Sequence, residues 1–113
     1  MALKVLPSNI LESIYVGEDV KYRLSVVDHL GDDSIRSIAV AYKDSNGLPV
    51  TTNFSKGSAF SLGIISFGLT AFQAGTVAIH IDVICNQKLP DGITYRNFKI
   101  KLYLPILDIN INN

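Results

Sequence analysis

The sequence contains no tryptophan, one cysteine and four prolines in 113 residues. A single cysteine excludes a disulfide within the chain, so oxidative cross-linking plays no part in the predicted fold. Apolar runs are short, and none approaches the roughly 18 residues that a membrane-spanning helix needs. The first residues carry neither a long apolar segment nor a cleavage pattern. This predicts a protein that is made in the cytoplasm and not exported by a secretory signal.

Charge is scarce and balanced. Ten basic and ten acidic residues give a net charge of zero, and charged residues make up 18% of the chain, below the typical ~25%. There is no basic surplus of the kind that binds nucleic acid or an anionic membrane, so neither is predicted as a partner. Near-neutral surfaces self-associate readily, which favours a protein that works inside an assembly.

What the sequence does contain is apolar–polar alternation with a period of two, the pattern of a half-buried β-strand. It is longest in the last third, at residues 75–85 and 93–104, where a turn-forming segment at 86–92 predicts a long hairpin. No helical periodicity of useful length occurs. The pattern predicts an all-β, immunoglobulin-like β-sandwich of about seven antiparallel strands. The shorter predicted strands are residues 20–27, 35–42, 48–54 and 61–69, and a short edge strand within residues 1–16 brings the number to about seven.

The two ends of the chain suggest extended arms. We divide the chain into an N-terminal arm (1–16), the sandwich (17–104) and a C-terminal arm (105–113), with Pro105 expected to break the last strand. Apolar residues outside a core need another surface to cover them, so the arms are a predicted partner interface. Packing back onto the same sandwich is the open alternative. The predicted interface residues are Leu3, Val5, Leu6, Ile10, Leu11, Ile106, Leu107, Ile109 and Ile111.

Candidates for a metal site are few. His80 and Asp82 lie two residues apart on the outward face of a predicted strand, where a proton-relay or metal role is geometrically open. A zinc site needs three or four ligands, and Cys85 is predicted to be buried on the opposite face. We therefore interpret the pair as an ordinary surface pair and predict no metal site.

Candidates for catalysis or calcium binding are also weak. Asp28, Asp32 and Asp33 surround a glycine, but their spacing fails the calcium-loop pattern, and turn chemistry explains them. No serine lies in a nucleophile elbow. Gly63 and Gly68 fall inside a predicted strand, where they indicate a bulge or a close backbone approach. The sequence predicts no catalytic residue, no cofactor and no enzyme.

Three segments resemble a family of small tailed-bacteriophage virion proteins, the fiber–tail adaptors. Residues 19–35 resemble that family's early strand and its Leu-Gly-Asp-Asp loop. Residues 69–76 resemble its glycine-containing corner, and residues 92–102 its closing strand. Val26 and His29 stand where the family often has tryptophan. The resemblance spans residues 19–104 and implies a structural role, with many copies docked on a tail or neck protein and no catalytic residues.

The expected function is therefore a structural virion protein that docks fibers on the tail or neck through apolar arms and sheet edges. Its expected partners are other virion proteins, in a homo-oligomer or a multi-copy ring, and its expected location is the virion after assembly in the host cytoplasm. One alternative is a capsid decoration or cement protein. Another is a carbohydrate- or receptor-binding surface module, which the absence of tryptophan disfavours. The last alternative is a small hydrolase that uses His29 or His80.

Overall fold

A computed structural model describes residues 5–6, 9–50, 57–71 and 73–108. In it, two β-sheets face each other across one apolar core, which confirms the predicted all-β sandwich. The described residues form nine strands and one helical turn. The strands are β1 (Val5–Leu6), β2 (Ile10–Leu11), β3 (Ile14–Tyr15), β4 (Asp19–Ser25), β5 (Ile35–Lys43), β6 (Ser58–Ser61), β7 (Ile64–Thr70), β8 (Gly75–Lys88) and β9 (Tyr95–Leu107), and the helix is α1 (Val27–Leu30).

The larger sheet has the strand order β1-β2-β9-β8-β5, with β3 also pairing with β9, and the smaller sheet has the order β4-β7-β6. The long pairs β8–β9 and β5–β8 are antiparallel. The short strands β2 and β3 run parallel to β9 and are exceptions to the predicted antiparallel pairing. The N-terminal segment thus lies beside the last strand and extends the larger sheet.

The core lies between β7 of the smaller sheet and β8 and β9 of the larger one. The period-two pattern in the sequence identified its faces correctly, because alternate side chains of each strand point into it. The side chains of Tyr42 on β5 and Leu30 on α1 are also buried in this core. The buried side chains of the three central strands are Ile65, Phe67 and Leu69, then Val77, Ile79, Ile81, Val83 and Cys85, then Leu102, Leu104 and Ile106.

The prediction of a single strand over residues 61–69 is wrong. Strands β6 and β7 form a hairpin whose two turn residues, Leu62 and Gly63, have φ angles of 52° and 80°. Two positive φ angles in a two-residue loop are typical of a type I′ turn, where Asn-Gly is the favoured sequence. Because the first turn position holds an apolar leucine, the turn resembles a continuation of the strand in the sequence. Gly63 therefore marks a reversal of the chain, not a bulge.

The expectation that Pro105 breaks the last strand is also wrong, since β9 continues to Leu107. The carbonyl of Leu107 accepts the N–H of Val16, so it faces the N-terminal segment. Pro105 lies two residues earlier and faces the same side, opposite the gap between β2 and β3. A proline lacks an N–H to donate, but no strand at that gap requires a donor.

Two other strand predictions need correction. The strand predicted over 20–27 ends at Ser25, and the chain then forms one turn of helix, α1, which buries Leu30. Of the strand predicted over 48–54, Pro49 forms an isolated bridge with Lys43. The rest of that prediction, from residue 51 onwards, lies outside the described residues.

Candidate functional site

Two of the residues predicted to contact a partner belong to this chain's own core. Leu11 is 0% exposed and Ile106 is 3% exposed. Leu11 lies on β2 and Ile106 on β9, and Ile106 is paired in register with Ile14 of β3. This corrects the expectation that these two side chains are available to a neighbour. They fit the alternative in which the ends pack back on the sandwich.

The other predicted interface residues divide into three groups. Ile10 is half-buried and Leu107 is exposed, both at the edge where the N-terminal segment meets β9. Val5 and Leu6 form β1, the outer strand of the larger sheet. The remaining three, Leu3, Ile109 and Ile111, lie outside the described residues.

Apolar side chains are exposed at one end of the sandwich, which we call the α1 end. It comprises α1, the β6–β7 turn and the β8–β9 loop. Leu62 is 95% exposed at the tip of the first turn, and Ile93 is 80% exposed in the second. The β6–β7 turn contacts α1 directly, and the β8–β9 loop leads into Arg96 at the start of β9, which also contacts α1. A Cβ on Gly63 would lie 2.9 Å from Cγ2 of Val27, and Arg96 donates to the carbonyl of His29.

A partly buried ion pair holds the α1 end together, in which the side chain of Arg96 is 34% exposed. Nη1 of Arg96 lies 3.0 Å from Oδ2 of Asp33, whose side chain is only 1% exposed. Arg96 also donates to the carbonyl of Leu30 at 3.3 Å. Oδ1 of Asp33 accepts the backbone N–H of Ser34 at 2.7 Å and that of Gln87 at 3.0 Å. The aspartate predicted as a turn residue thus joins the loop after α1 to the long hairpin.

These contacts change the protonation of Asp33. Desolvation of the carboxylate opposes ionisation. The N–H donors of Ser34 and Gln87, followed by the Arg96 guanidinium, outweigh that effect and hold the pKa of Asp33 below its ordinary value of 3.8. The carboxylate is therefore fixed in its charged form at neutral pH, and its chemistry is that of a structural anchor.

The outward pair His80 and Asp82 lies on the outer face of the larger sheet, as the sequence predicts. His80 is half-buried and Asp82 is exposed. In the sheet register, His80 lies between Ala41 of β5 and Lys101 of β9. The pair is therefore surrounded by residues of two neighbouring strands, which sequence reasoning about β8 alone did not bring together.

Three lysines surround His80. Lys101 lies directly across on β9, Lys99 diagonally across on β9, and Lys43 diagonally across on β5. Two shallow depressions of about 430 and 320 Å³ flank the imidazole, and Lys43, His80 and Lys101 line both. Desolvation, followed by the charges of Lys43 and Lys101, lowers the pKa of His80 below its ordinary value of 6.5, while Asp82 works in the opposite direction. The imidazole is consequently neutral at neutral pH.

The structure confirms that Cys85 is buried, at 0% exposure. Burial raises the pKa of its thiol, the nearby charge of Asp33 raises it further, and Arg96 opposes the rise. A thiol in this state has little thiolate and packs as a small apolar side chain. Among the described residues, no group of three or more histidine, cysteine, aspartate or glutamate side chains is arranged to hold a metal ion.

The buried Tyr42 and the half-buried Tyr22 differ in their hydrogen bonding. The hydroxyl of Tyr42 donates to the carbonyl of Gly68 at 2.8 Å and so joins the two sheets across the core. The hydroxyl of Tyr22 is buried and has no hydrogen-bond partner. Burial raises the pKa of both to about 12, with Glu18 and Glu12 adding to the effect at Tyr22.

Sequence reasoning missed the lysine group and the Arg96–Asp33 pair for different reasons. Lys99 and Lys101 alternate with apolar residues, so the sequence indicates that they point outward. Which residues of β8 they face depends on the register of the hairpin. That register shifts between Ile84 and Lys88. Arg96 and Asp33 are separated by 63 positions along the chain, and no local pattern indicates such a pair.

Comparison with protein-family models, with curated proteins and with solved structures found no match for this chain. No helix in the described part of the chain has the length and apolar character needed to span a membrane.

Proposed function

We propose that this protein is a structural virion protein of a tailed phage, an adaptor that docks fibers on the tail or neck. The proposal rests on the resemblance of residues 19–104 to that family and on the shape and surface of the sandwich. It assigns no catalytic role to any residue. Its working parts are a stiff body, an apolar end and exposed strand edges.

The body has the proportions of a spacer. Its principal extents are 60 × 28 × 24 Å, and its radius of gyration is 15.6 Å, against about 13 Å for a compact chain of this length. The length comes from the β8–β9 hairpin, whose strands have 14 and 13 residues. Both strands carry core residues over most of their length, so the hairpin is stiffened by the sandwich.

The observation that carries the proposal is the pair of apolar side chains held out at the α1 end. Leu62 and Ile93 are 95% and 80% exposed on turns fixed by backbone hydrogen bonds and by Asp91. Exposed apolar side chains are individually common. A leucine held at positive φ is uncommon, because that conformation is strained for a residue with a Cβ. Burying these two side chains against a neighbour is the proposed docking contact.

Strand edges supply the second contact. Strand β6 lies at the edge of the smaller sheet, and all four of its residues are exposed. An exposed edge offers unpaired backbone N–H and C=O groups to an added strand. In this proposal a fiber or tail segment pairs with β6, while β1 and the last residues of β9 contact the other neighbour.

Light scattering on the purified protein at several concentrations tests the proposal. We expect a defined oligomer, and we expect the double variant Leu62→Ser/Ile93→Ser to dissociate at concentrations where the wild type stays assembled. Leu48→Ser is the matched control, because Leu48 is 61% exposed in the turn after β5 at the opposite end. A trimer would favour the capsid decoration alternative. A monomer whose state neither variant changes would count against self-assembly through the α1 end.

A further inference from the structure

The outer face of the larger sheet carries a concentrated positive charge. We name Lys43, His80, Asp82, Lys99 and Lys101 the His80 patch. Lys99 and Lys101 lie two residues apart on one strand, hence about 7 Å apart at Cα, and Lys43 lies two strands away, about 10 Å across the sheet. His80 lies within this triangle, since Lys101 is its direct cross-strand neighbour and the other two lysines are diagonal neighbours.

The described residues give the lysines of the patch no close ion pair. In the part of the chain that the structure describes, no carboxylate oxygen lies within 4.0 Å of the ammonium group of Lys43, Lys99 or Lys101. Lys101 instead extends towards the ring of Tyr103, with Nζ 5.4 Å from the ring centre. Lys99 is directly across from Asp82 in the register but forms no ion pair with it.

The charge balance of the patch differs from that of the chain. Ten basic and ten acidic residues cancel over the whole sequence. In the patch, three ammonium groups stand against the carboxylate of Asp82, and the carboxylate of Asp44 lies at the rim, so one net positive charge remains when both are counted. Oδ1 of Asp44 accepts the backbone N–H groups of Asn46 and Leu48 at 2.9 and 3.0 Å, which orients this carboxylate without cancelling its charge.

The floor of the patch leaves room for a ligand. Ala39, Ala41 and Ala78 occupy the outward positions beside Asp82, His80 and Lys43. Ala78 lines the depression of about 430 Å³ beside the imidazole, and Ala41 lines the one of about 320 Å³. Lysine ammonium groups bind oxyanions as point charges on flexible stems, so three of them can converge on one group.

We propose that the His80 patch is a binding site for a dianionic tetrahedral oxyanion, a sulfate or phosphoryl group. Lys43, Lys99 and Lys101 supply the charge, and the imidazole of His80 donates a hydrogen bond when it is protonated. The site is independent of the adaptor role and of the α1 end.

Binding at this site is coupled to protonation of His80. The charged groups facing the imidazole are Lys43 on β5, Lys99 and Lys101 on β9, and Asp82 on its own strand. Without a ligand, desolvation and the lysines keep its pKa low. A bound dianion offsets the lysine charges and raises that pKa, so affinity must increase as the pH falls through the titration range of His80.

The test uses the two histidines as reporters, because the chain has only His29 and His80. Imidazole resonances are followed by NMR during titration with sodium sulfate, which stays a dianion throughout, against sodium chloride at matched ionic strength. We expect a saturable shift at His80 and none at His29, which stacks on Phe98 away from the patch. Affinity should increase severalfold between about pH 7.5 and about pH 5.5.

Variants separate a specific site from general screening. Lys99→Gln/Lys101→Gln should weaken sulfate binding roughly three- to tenfold. The matched control Lys21→Gln removes a charge from β4 of the other sheet and should leave affinity within about a factor of two. His80→Gln should keep binding near pH 7.5 and lose the increase at low pH. Retained folding of each variant is checked by circular dichroism.

Inorganic phosphate and glycerol 1-phosphate distinguish the source of the oxyanion. Equal affinity for both supports a phosphoryl group carried on a larger molecule, and affinity for inorganic phosphate alone supports a free ion. The proposal is overturned if no saturable shift occurs at His80, if His29 shifts equally, or if Lys21→Gln weakens binding as much as Lys99→Gln/Lys101→Gln does.

Discussion

At the scale of single residues, Tyr42 and Tyr22 allow the contribution of a hydroxyl hydrogen bond to the free energy of unfolding to be measured apart from that of the packed ring. Tyr42→Phe removes the donor to the Gly68 carbonyl, and we expect the free energy of unfolding to fall by about 1 kcal/mol. Tyr22→Phe removes a hydroxyl that has no partner, so we expect no loss or a small gain. Urea denaturation of both variants is the measurement. Equal destabilisation by the two substitutions would contradict the assigned hydrogen bonding.

The lowered pKa of Asp33 predicts how the free energy of unfolding changes with pH in the acid range. Its pKa is lower in the folded protein than in the unfolded chain, so its ionised form stabilises the fold. That stabilisation is present above about pH 4 and is lost as the pH falls through the folded-state pKa. We therefore expect Asp33→Asn to be less stable than the wild type at neutral pH, with the difference shrinking below about pH 4.

Thermal unfolding at a series of pH values tests this expectation. Asp28→Asn is the matched control, because Asp28 lies on the exposed side of α1 and the described structure gives it no hydrogen bond or ion pair. A difference between wild type and Asp33→Asn that stays constant from neutral to acid pH would show that the charge of Asp33 is not what anchors the α1 end.

At the scale of elements, the β6–β7 turn stores strain at an exposed position. Leu62 has a φ of 52° and is followed by Gly63 at 80°, a conformation for which Asn-Gly is favoured. We expect Leu62→Asn to raise the free energy of unfolding by about 1 kcal/mol. The same substitution at Leu48, which is exposed but has no positive φ, should leave stability nearly unchanged.

If Leu62 is the docking side chain that we propose, Leu62→Asn should gain stability and lose assembly. Chemical denaturation measures the first, and light scattering the second. A variant that is more stable and assembles as well as the wild type would remove Leu62 from the proposed contact while leaving the turn assignment intact.

The elements also show how far the sequence can be read. The long hairpin was predictable because its alternation continues over many residues and its turn carries Asp91 and Gly92. The β6–β7 hairpin was not, because Leu62 is apolar at a turn position and conceals the reversal. Pro105 was misleading for a different reason: its effect depends on whether a neighbouring strand requires its N–H, and only the pairing with the N-terminal segment decides that.

The candidate surfaces were partly predictable for the same reason. The outward direction of His80 and Asp82 followed from strand alternation alone. Their proximity to Lys43 and Lys99 did not, because it depends on the register of two strand pairs, both of which are irregular near Cys85. Whether Leu11 is buried in this chain or against a partner was not predictable either, since an apolar residue near a chain end is compatible with both.

At the scale of the whole molecule, the N-terminal segment is part of the sandwich. Leu11 is fully buried, so Leu11→Ala should lower the free energy of unfolding by about 2–5 kcal/mol. Ile93→Ala at the exposed β8–β9 loop should change it by no more than about 0.5 kcal/mol. Urea denaturation of dilute protein measures both. Equal, small effects would mean that the segment is not docked in the isolated chain.

In this structure the chain forms one two-sheet body that includes residues predicted as arms. Native-state hydrogen exchange at low protein concentration tests it most directly, through the amide of Val16, which donates to the carbonyl of Leu107 at 2.9 Å. We predict that this amide is protected to an extent approaching that of Ile81 in the centre of β8. Exchange of the Val16 amide at the rate of an unstructured peptide would contradict the account and return the N-terminal segment to the role of an arm that awaits a partner.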